Sequence, residues 1–245
     1  MVRYTCRRGR RASSDLFTTR YKTRRWRTMA MGRPRSFDTD KALDEAMEVF
    51  WRHGYDGASL AMLTRAMGIK PPSLYAAFGS KEGLLKAALD RYAQRRSEHM
   101  RYVLAAPTAR DVAERFLGSI AESHTDPANP PGCLLVQGGL ACGAGSENIP
   151  FELASRRAQT EAELRERFVR ARQDGDLPRE ADPAALARFL STVASGMGVL
   201  ASSGADREAL RQVARVSLGA FARDTLAARA GGPASDAAEQ PTPRR

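Results

Sequence analysis

Apolar residues recur at intervals of three and four from Phe37 onward, and almost no segment alternates polar and apolar residues as a half-buried strand would. The first stripe consists of Leu43, Ala46, Met47 and Phe50. It follows Asp38, a residue type that favours the N-cap of a helix, and His53-Gly54 is expected to end this helix. The pattern predicts an all-α fold.

Two short helices are predicted next, joined by a glycine. Ser59 is expected to cap the first, and Gly68 to supply the positive φ of a tight turn. We place Pro71 at the cap of the second helix and Pro72 at its first position, because a proline disfavours helical backbone in the residue before it. The spacing predicts a helix-turn-helix over residues 59–78. Periodicity alone fits equally well with a three-helix core that has no role in DNA binding.

The remaining segments are longer and predict a second, larger helical unit. Ser80 is expected to cap a helix that reaches Met100 or beyond. Further helices are predicted near residues 112–124, from 133 to about 140, and at 150–172, 183–202 and 207–228. The uncharged stretch 189–205 contains five Ser or Thr residues and three glycines, so we interpret it as a buried helix and predict no membrane association.

The positive charge is concentrated at the N-terminus. The chain of 245 residues carries a net charge of +11, and residues 1–35 hold twelve Arg or Lys against one acid, Asp15. Basic and acidic residues balance in the remainder. We favour the interpretation that residues 1–30 are an upstream extension, with Met29 or Met31 beginning the functional protein; a DNA-tracking arm is the alternative.

The candidate chemistry excludes most enzyme classes. Three cysteines without C-x-x-C spacing argue against a disulfide framework and a structural zinc site, and favour the cytoplasm. Motifs for a P-loop, a zinc protease or a nucleophile elbow are absent from the sequence. We therefore predict neither enzymatic activity nor a cofactor. A protein-interaction module is the remaining alternative to DNA binding.

The segment SLAMLTRAMGIKPPSLYAAFGSKEGLL, residues 59–85, closely resembles the helix-turn-helix of the TetR/AcrR family of transcription regulators. The resemblance covers roughly residues 34–90, whereas the C-terminal half matches in helical layout and in the Gly-Cys-Leu-Leu stretch 132–135. The Gly, Pro and Ala content of residues 229–245 predicts a disordered tail. The resemblance implies a DNA-binding domain at 34–94 and a ligand-binding and dimerisation domain at 95–228. It also implies a homodimer on double-stranded operator DNA.

The resemblance implies roles for individual residues. Ser59, Tyr75 and Lys81 match positions that face or contact phosphates, and the front of the second helix matches residues that point at base edges. Arg33 and Arg35 either reach an adjacent minor groove or belong to a frayed terminus. Thr64, Ala76 and Ala77 depart from the family pattern. The predicted DNA-binding set is Arg33, Arg35, Ser59, Lys70, Pro71, Pro72, Ser73, Tyr75 and Lys81.

Less is implied for the second domain. An unidentified small-molecule effector is expected to relieve repression from a pocket between helices, for which the candidates are Phe116, Ile120, Leu135, Gln137, Phe151, Phe168 and Met197. Each candidate fits an ordinary core position as well. Cys133 and Cys142 are either thiol sensors, soft-metal ligands with His124, or small buried hydrophobes. Small residues between Ser195 and Ser202 are expected to let helices pack closely in a dimer.

Overall fold

The computed structural model describes residues 37–139, 142–143 and 145–230, with side chains described as far as residue 222 in the last helix. These residues contain helices and no strand, as predicted. The helices are α1 (Thr39–Gly57), α2 (Leu60–Ala66), α3 (Pro71–Phe78), α4 (Lys81–Leu104), α5 (Ala109–His124), α6 (Leu134–Gln137), α7 (Asn148–Gln173), α8 (Pro183–Ser202) and α9 (Arg207–Ala230).

Side-chain caps fix where several helices begin. The Asp38 carboxylate accepts from the backbone N–H groups of Asp40 and Lys41, at 3.0 and 3.2 Å. Ser59 and Ser80 accept from Met62 and Gly83 in the same way, at 3.2 and 2.9 Å. Each cap satisfies a backbone donor that has no partner inside the helix. All three predicted caps are confirmed.

Two boundaries differ from the prediction. The path of α1 breaks at Gly54, where φ is 66° and ψ is 179°, but one further turn follows before the helix ends at Gly57. The cap of α3 is Lys70 and not Pro71, because the Lys70 carbonyl accepts from Ser73 at 2.9 Å and from Leu74 at 3.3 Å. Pro71 therefore lies at the first helical position, where a missing N–H costs nothing.

Helix α6 is shorter than predicted. It ends at Gln137, because Gly138 and Gly139 follow and α7 packs closely over them. A Cβ atom at Gly139 would lie 2.9 Å from the side chain of Leu153 in α7. Leu140, which we expected in this helix, lies outside the described residues, as do residues 231–245 of the predicted tail.

Buried side chains form two hydrophobic clusters, which we call the first and second clusters. The first joins α1–α4 to α6 and the start of α7, and its members include Phe50, Leu63 and Leu74. The second lies among the end of α4 and helices α5, α7, α8 and α9. Helix α4 supplies Leu84, Leu85, Ala88, Leu89 and Tyr92 to the first cluster, and Met100 and Val103 to the second. The predicted domain boundary at residue 94 thus falls inside a continuous helix.

The apolar helix α8 belongs to this core. It is long and apolar enough to cross a membrane by length and composition alone, with a mean hydropathy of 1.4. Its buried residues include Leu186, Leu190 and Met197, and it packs against α5, α7 and α9. This agrees with the predicted buried helix.

Substitution of Phe168 by alanine is expected to lower the free energy of unfolding by roughly 3–5 kcal/mol, because it removes a fully buried ring and leaves a cavity. Phe168 is 0% exposed and its ring centroid lies 5.6 Å from that of Phe221. Urea denaturation measures the change. Phe151→Ala is the matched control, since Phe151 is 75% exposed and its truncation should have little effect. Equal losses in the two variants would contradict this assignment of the core.

Candidate DNA-binding site and effector cavity

Helices α2 and α3 form a compact helix-turn-helix. Gly68 has a φ of 65° in the turn, and the N–H of Ile69 donates to the carbonyl of Thr64 at 3.1 Å. Leu63 of α2 and Leu74 of α3 are fully buried in the first cluster. Both short helices are therefore fixed by packing, which holds the outward face of α3 in one orientation.

That outward face carries most of the residues predicted to contact DNA. Lys70, Pro71 and Pro72 are exposed, Ser73 is partly exposed, and Tyr75 is 47% exposed. The exposed Ser59 lies at the start of α2, where its hydroxyl already caps the helix. The structure brings these side chains to the two helix N-termini. Their contact with DNA remains a prediction, and Arg33 and Arg35 lie outside the described residues.

The departures from the family pattern have visible consequences. The Thr64 side chain is buried, and its hydroxyl donates to the carbonyl of Leu60 at 2.8 Å. Ala76 is exposed and Ala77 is partly exposed, so this part of α3 presents methyl groups to the surface. Long polar side chains are therefore confined to the front of the helix and to Tyr75.

Lys81 lies at a junction that the sequence did not reveal. Its ammonium group lies 4.4 Å from the centre of the Tyr55 ring, a cation–π contact between α4 and the end of α1. Burial lowers the pKa of Lys81, and the nearby Asp56 opposes that effect. The predicted phosphate-contacting lysine is thus partly buried and already has a partner.

The residues beside Tyr55 attach α1 to the segment between α6 and α7. One oxygen of Asp56 accepts from the backbone N–H of Gly143 at 2.6 Å, and the other accepts from the Ser146 hydroxyl at 2.7 Å. The N–H of Tyr55 donates to the carbonyl of Gly138 at 3.2 Å. These hydrogen bonds hold the pKa of Asp56 below its usual range. We call this set of contacts the Asp56 clamp. The sequence contains no signal for it, because the partners of Asp56 lie in a distant segment of the chain.

Three cavities that share Arg96 lie among α1, α4, α5, α6, α7 and α8. The inner cavity measures about 50 Å³, and its walls include Phe116, Ile120, His124 and Ser191. The outer groove, about 500 Å³, runs between α4 and α7, and the third cavity, about 220 Å³, lies between α1, α4 and α5. Arg96 of α4 lines all three.

The predicted pocket residues separate into two groups. Phe116, Ile120 and Leu135 lie together on the wall of the inner cavity. The others do not line it: Phe168 and Met197 are core residues of the second cluster, and Phe151 points to the surface while Leu153 of the same turn is buried. Gln137 donates to the carbonyl of Pro131 at 3.1 Å. A helical stripe does not distinguish a cavity wall from a packed core, so the sequence could not separate these four residues from the other three. Effector binding at any of the seven positions stays a prediction.

The polar residues of the inner cavity were missed by the sequence reasoning. Arg96, Arg157, Thr160 and Ser195 line it beside the apolar wall. These residues lie on α4, α7 and α8, so no spacing along the chain could have grouped them.

His124 is the most perturbed histidine in this region. It is 3% exposed, and burial lowers its pKa to about 4, with a smaller contribution from the positive charge of Arg96. The ring is therefore neutral at physiological pH, and its Nδ1 atom is buried without a hydrogen-bond partner. The buried Cys133 is close by: a Cβ placed on Gly198 would lie 3.1 Å from Cys133 Cβ and 3.4 Å from His124 Cε1.

The two cysteines among the described residues, Cys133 and Cys142, differ in their surroundings. Cys133 is buried and contacts the Tyr92 hydroxyl at 3.8 Å, and burial raises the pKa of the Cys142 thiol. A raised pKa reduces the thiolate fraction that redox sensing and metal binding need. Within the described part of the chain, no group of three or more His, Cys, Asp or Glu residues is placed to hold a metal ion.

Comparison with known proteins identifies what this architecture is. Residues 42–88 match the family model "Bacterial regulatory proteins, tetR family", and residues 109–217 match "Tetracyclin repressor-like, C-terminal domain". The HTH-type transcriptional repressor ComR of Escherichia coli is 38% identical over 189 residues, which cover 76% of this chain and 90% of ComR. The HTH-type transcriptional regulator YezE of Bacillus subtilis is 30% identical over 77% of this chain and 98% of its own length.

Solved structures agree with these matches. A cysteine mutant of the TetR family transcriptional regulator CifR, complexed with 26bp double-strand operator DNA, is 44% identical, with a TM-score of 0.74. The match covers 77% of this chain and 99% of CifR. The fold and the helix-turn-helix define a DNA-binding transcription regulator. The chain belongs to the TetR family.

The stability of the protein is expected to fall as the pH decreases from about 6.5 to about 4, because the unfolded chain takes up a proton at His124 that the folded chain excludes. The lowered pKa is equivalent to about 3 kcal/mol across this window. His124→Gln should remove that part of the pH dependence in urea denaturation. His53→Gln, at an exposed position, is the matched control. An NMR titration that gave His124 an ordinary pKa would contradict the buried neutral ring.

Proposed function

We propose that the protein is a homodimeric repressor in the cytoplasm. It binds double-stranded operator DNA through α2 and α3 and leaves it when a small molecule enters the inner cavity. The observation that carries this proposal is the exposed front of α3, residues Lys70–Ser73 with Tyr75, held by the buried Leu63 and Leu74. The named repressor ComR and the operator complex of CifR, which the chain resembles along most of its length, support it.

The surface of α8 and α9 supports the dimer. Val199 and Leu200 of α8 are 43% and 40% exposed, and Val216 of α9 is 73% exposed. Large apolar side chains exposed together on two adjacent helices favour a partner helix pair. Of the small residues expected to allow close approach, Gly196 and Ser202 are exposed, whereas Gly198 and Ala201 face the core of their own chain. The predicted stripe therefore divides between the two roles.

The route from cavity to DNA passes through α6. Two residues at the start of this helix, the N-cap Cys133 and Leu135, line the inner cavity. Leu134 between them is fully buried in the first cluster. Gly132 approaches α8 so closely that a Cβ would lie 2.6 Å from the Gly198 carbonyl oxygen. Beyond the helix, the Asp56 clamp joins the segment after α6 to α1. A ligand that displaced α6 would thus shift α1 and, with it, the helix-turn-helix.

Lys70→Ala is expected to weaken specific binding to the DNA upstream of the protein's own gene and to reduce the slope of log affinity against log salt by about one, as loss of one phosphate contact does. Tyr75→Phe should weaken binding without changing that slope, since it removes a hydroxyl and no charge. Fluorescence anisotropy at several salt concentrations measures both.

Arg188→Ala is the control for this experiment, because Arg188 is exposed on α8, away from the helix-turn-helix. The full chain and a chain beginning at Met31 are compared on the same DNA, which separates the contribution of residues 1–30. Operator affinity that is unchanged in Lys70→Ala and in Tyr75→Phe would reject the proposed DNA-binding face.

Asp56→Ala is expected to speed hydrogen exchange at Gly143 and Ser146 by at least about tenfold, since local opening of this segment then breaks fewer hydrogen bonds. Exchange in α3 should remain unchanged, because the first cluster is intact. Hydrogen exchange followed by mass spectrometry on the full chain reports both segments. Asp174→Ala, in the exposed turn after α7, is the control. Unaltered exchange at residues 142–147 would show that the clamp does not hold this segment.

A further inference from the structure

Arg96 and Arg157 differ from the other arginines around the cavities in their lack of an ion-pair partner. Arg156 pairs with Asp90 at 2.6 Å and with Glu152 at 2.9 Å, and Arg95 pairs with Asp44 at 2.7 Å. Within the described part of the chain, no carboxylate lies within 4.0 Å of the Arg96 or Arg157 guanidinium. Arg96 stacks 5.5 Å from the centre of the Tyr92 ring, and Arg157 donates to the carbonyl of Leu135. Both residues line the inner cavity.

The cavities are otherwise poor in negative charge. Glu163 in the outer groove is the one acid among the described residues that line the three cavities. Burial raises the pKa of its carboxyl, and the positive charge of Arg96 opposes that effect. The other lining arginines, Arg95, Arg101 and Arg156, are all paired. Arginines that no carboxylate contacts, beside cavities with a single acid, disfavour cationic ligands and favour anionic ones.

Buried polar atoms without partners surround the same space. Among the described residues these include His124 Nδ1 and Ser191 Oγ on the inner cavity and Trp51 Nε1 on the third cavity. An indole N–H can donate and cannot accept, and a neutral imidazole or a hydroxyl can also donate. A ligand rich in acceptor oxygens would satisfy these groups, whereas an apolar ligand would leave them unpaired at a cost of about 1–3 kcal/mol each.

The remaining wall of the inner cavity is apolar and fits a ligand with an apolar part. Phe116, Ile120, Leu135 and Ala194 are buried and face the inner cavity. At about 50 Å³ the inner cavity holds a headgroup but no complete ligand, and Leu135, Thr160 and Arg96 also line the outer groove of about 500 Å³. Because the two spaces share these lining residues, together they offer a volume of the size that small ligands occupy.

We propose that the effector is a small organic carboxylate whose anionic group binds between Arg96 and Arg157 and whose apolar part packs on Phe116, Ile120 and Leu135. This rests on the proposed function, since it names the chemical class of the molecule that the cavity binds. Arg96 is the specificity residue, because it lines both the inner cavity and the outer groove and recognises the charge of the ligand.

Calorimetric titration of the full chain with benzoate tests this proposal, with benzamide as the neutral analogue of the same shape. Benzoate is expected to bind at least about tenfold more tightly than benzamide, as a charge-assisted hydrogen bond requires. Arg96→Met should remove that preference, and Arg96→Lys should retain part of it. Arg165→Met is the control, since Arg165 is exposed on α7 and lines none of the three cavities.

Several results would overturn the proposal. Equal binding of benzoate and benzamide would remove the role of charge, and equal binding of acetate or inorganic phosphate would remove the role of the apolar wall. Failure of benzoate to bind at millimolar concentration, or an equal loss in Arg165→Met, would also reject it. A fold defect caused by Arg96→Met would lower the affinity for benzoate and for benzamide together. A ratio of the two affinities that stays unchanged in Arg96→Met therefore contradicts the proposal.

Operator binding by the same ligand-free samples separates this inference from the proposed function. Specific DNA binding without benzoate binding would reject the carboxylate and leave the repressor intact. Benzoate binding without DNA binding would reject the repressor and leave the anion site. Benzoate binding that fails to change operator affinity would show that the site is not the effector site.

Discussion

Helix α4, which supplies buried residues to both hydrophobic clusters, is the constraint on which the rest of the structure depends. Its first half packs into the first cluster and its last turns into the second, so the helix-turn-helix and the inner cavity share one helix. Packed helices shift between discrete arrangements and do not deform smoothly. Arg96 lies near the middle of this helix, between the residues that it supplies to the two clusters.

The second connection runs through polar contacts and has a different character. The Asp56 clamp consists of hydrogen bonds at the surface, whereas α4 is held by apolar packing. Hydrogen bonds exposed to water open at lower free energy than a packed core does. The two connections are therefore expected to open at different free energies, the clamp before the packed helix.

Local signals predicted the fold well, because they act within a few residues. The caps at Asp38, Ser59 and Ser80 and the turn at Gly68 are determined by their own neighbours in the chain. The prediction for Pro71 was wrong by one position. A proline disfavours helical backbone in the residue before it, but Pro71 is helical although Pro72 follows it, and Lys70 is the cap. The end of α6 depends on Leu153 of another helix, and the sequence carried no sign of that contact.

The candidate site residues also divided into those that local signals predicted and those that depend on contacts between distant segments. Family resemblance placed the exposed residues of α3, whereas the pocket candidates divided into wall and core because burial alone does not reveal an adjacent empty space. Arg96, Arg157 and the clamp were missed for a physical reason: each depends on which side chains meet from distant segments. An unpaired arginine and a paired one look identical in a sequence.

The methyl groups of Ala76 and Ala77 have a consequence for how operators are distinguished. A recognition helix with few long side chains makes few hydrogen bonds to base edges, so much of the remaining discrimination falls on the width and bendability of the duplex. Such a protein tolerates many single base changes that preserve groove shape. Its genomic targets would then be defined less by a consensus sequence than by the shape and flexibility of the DNA.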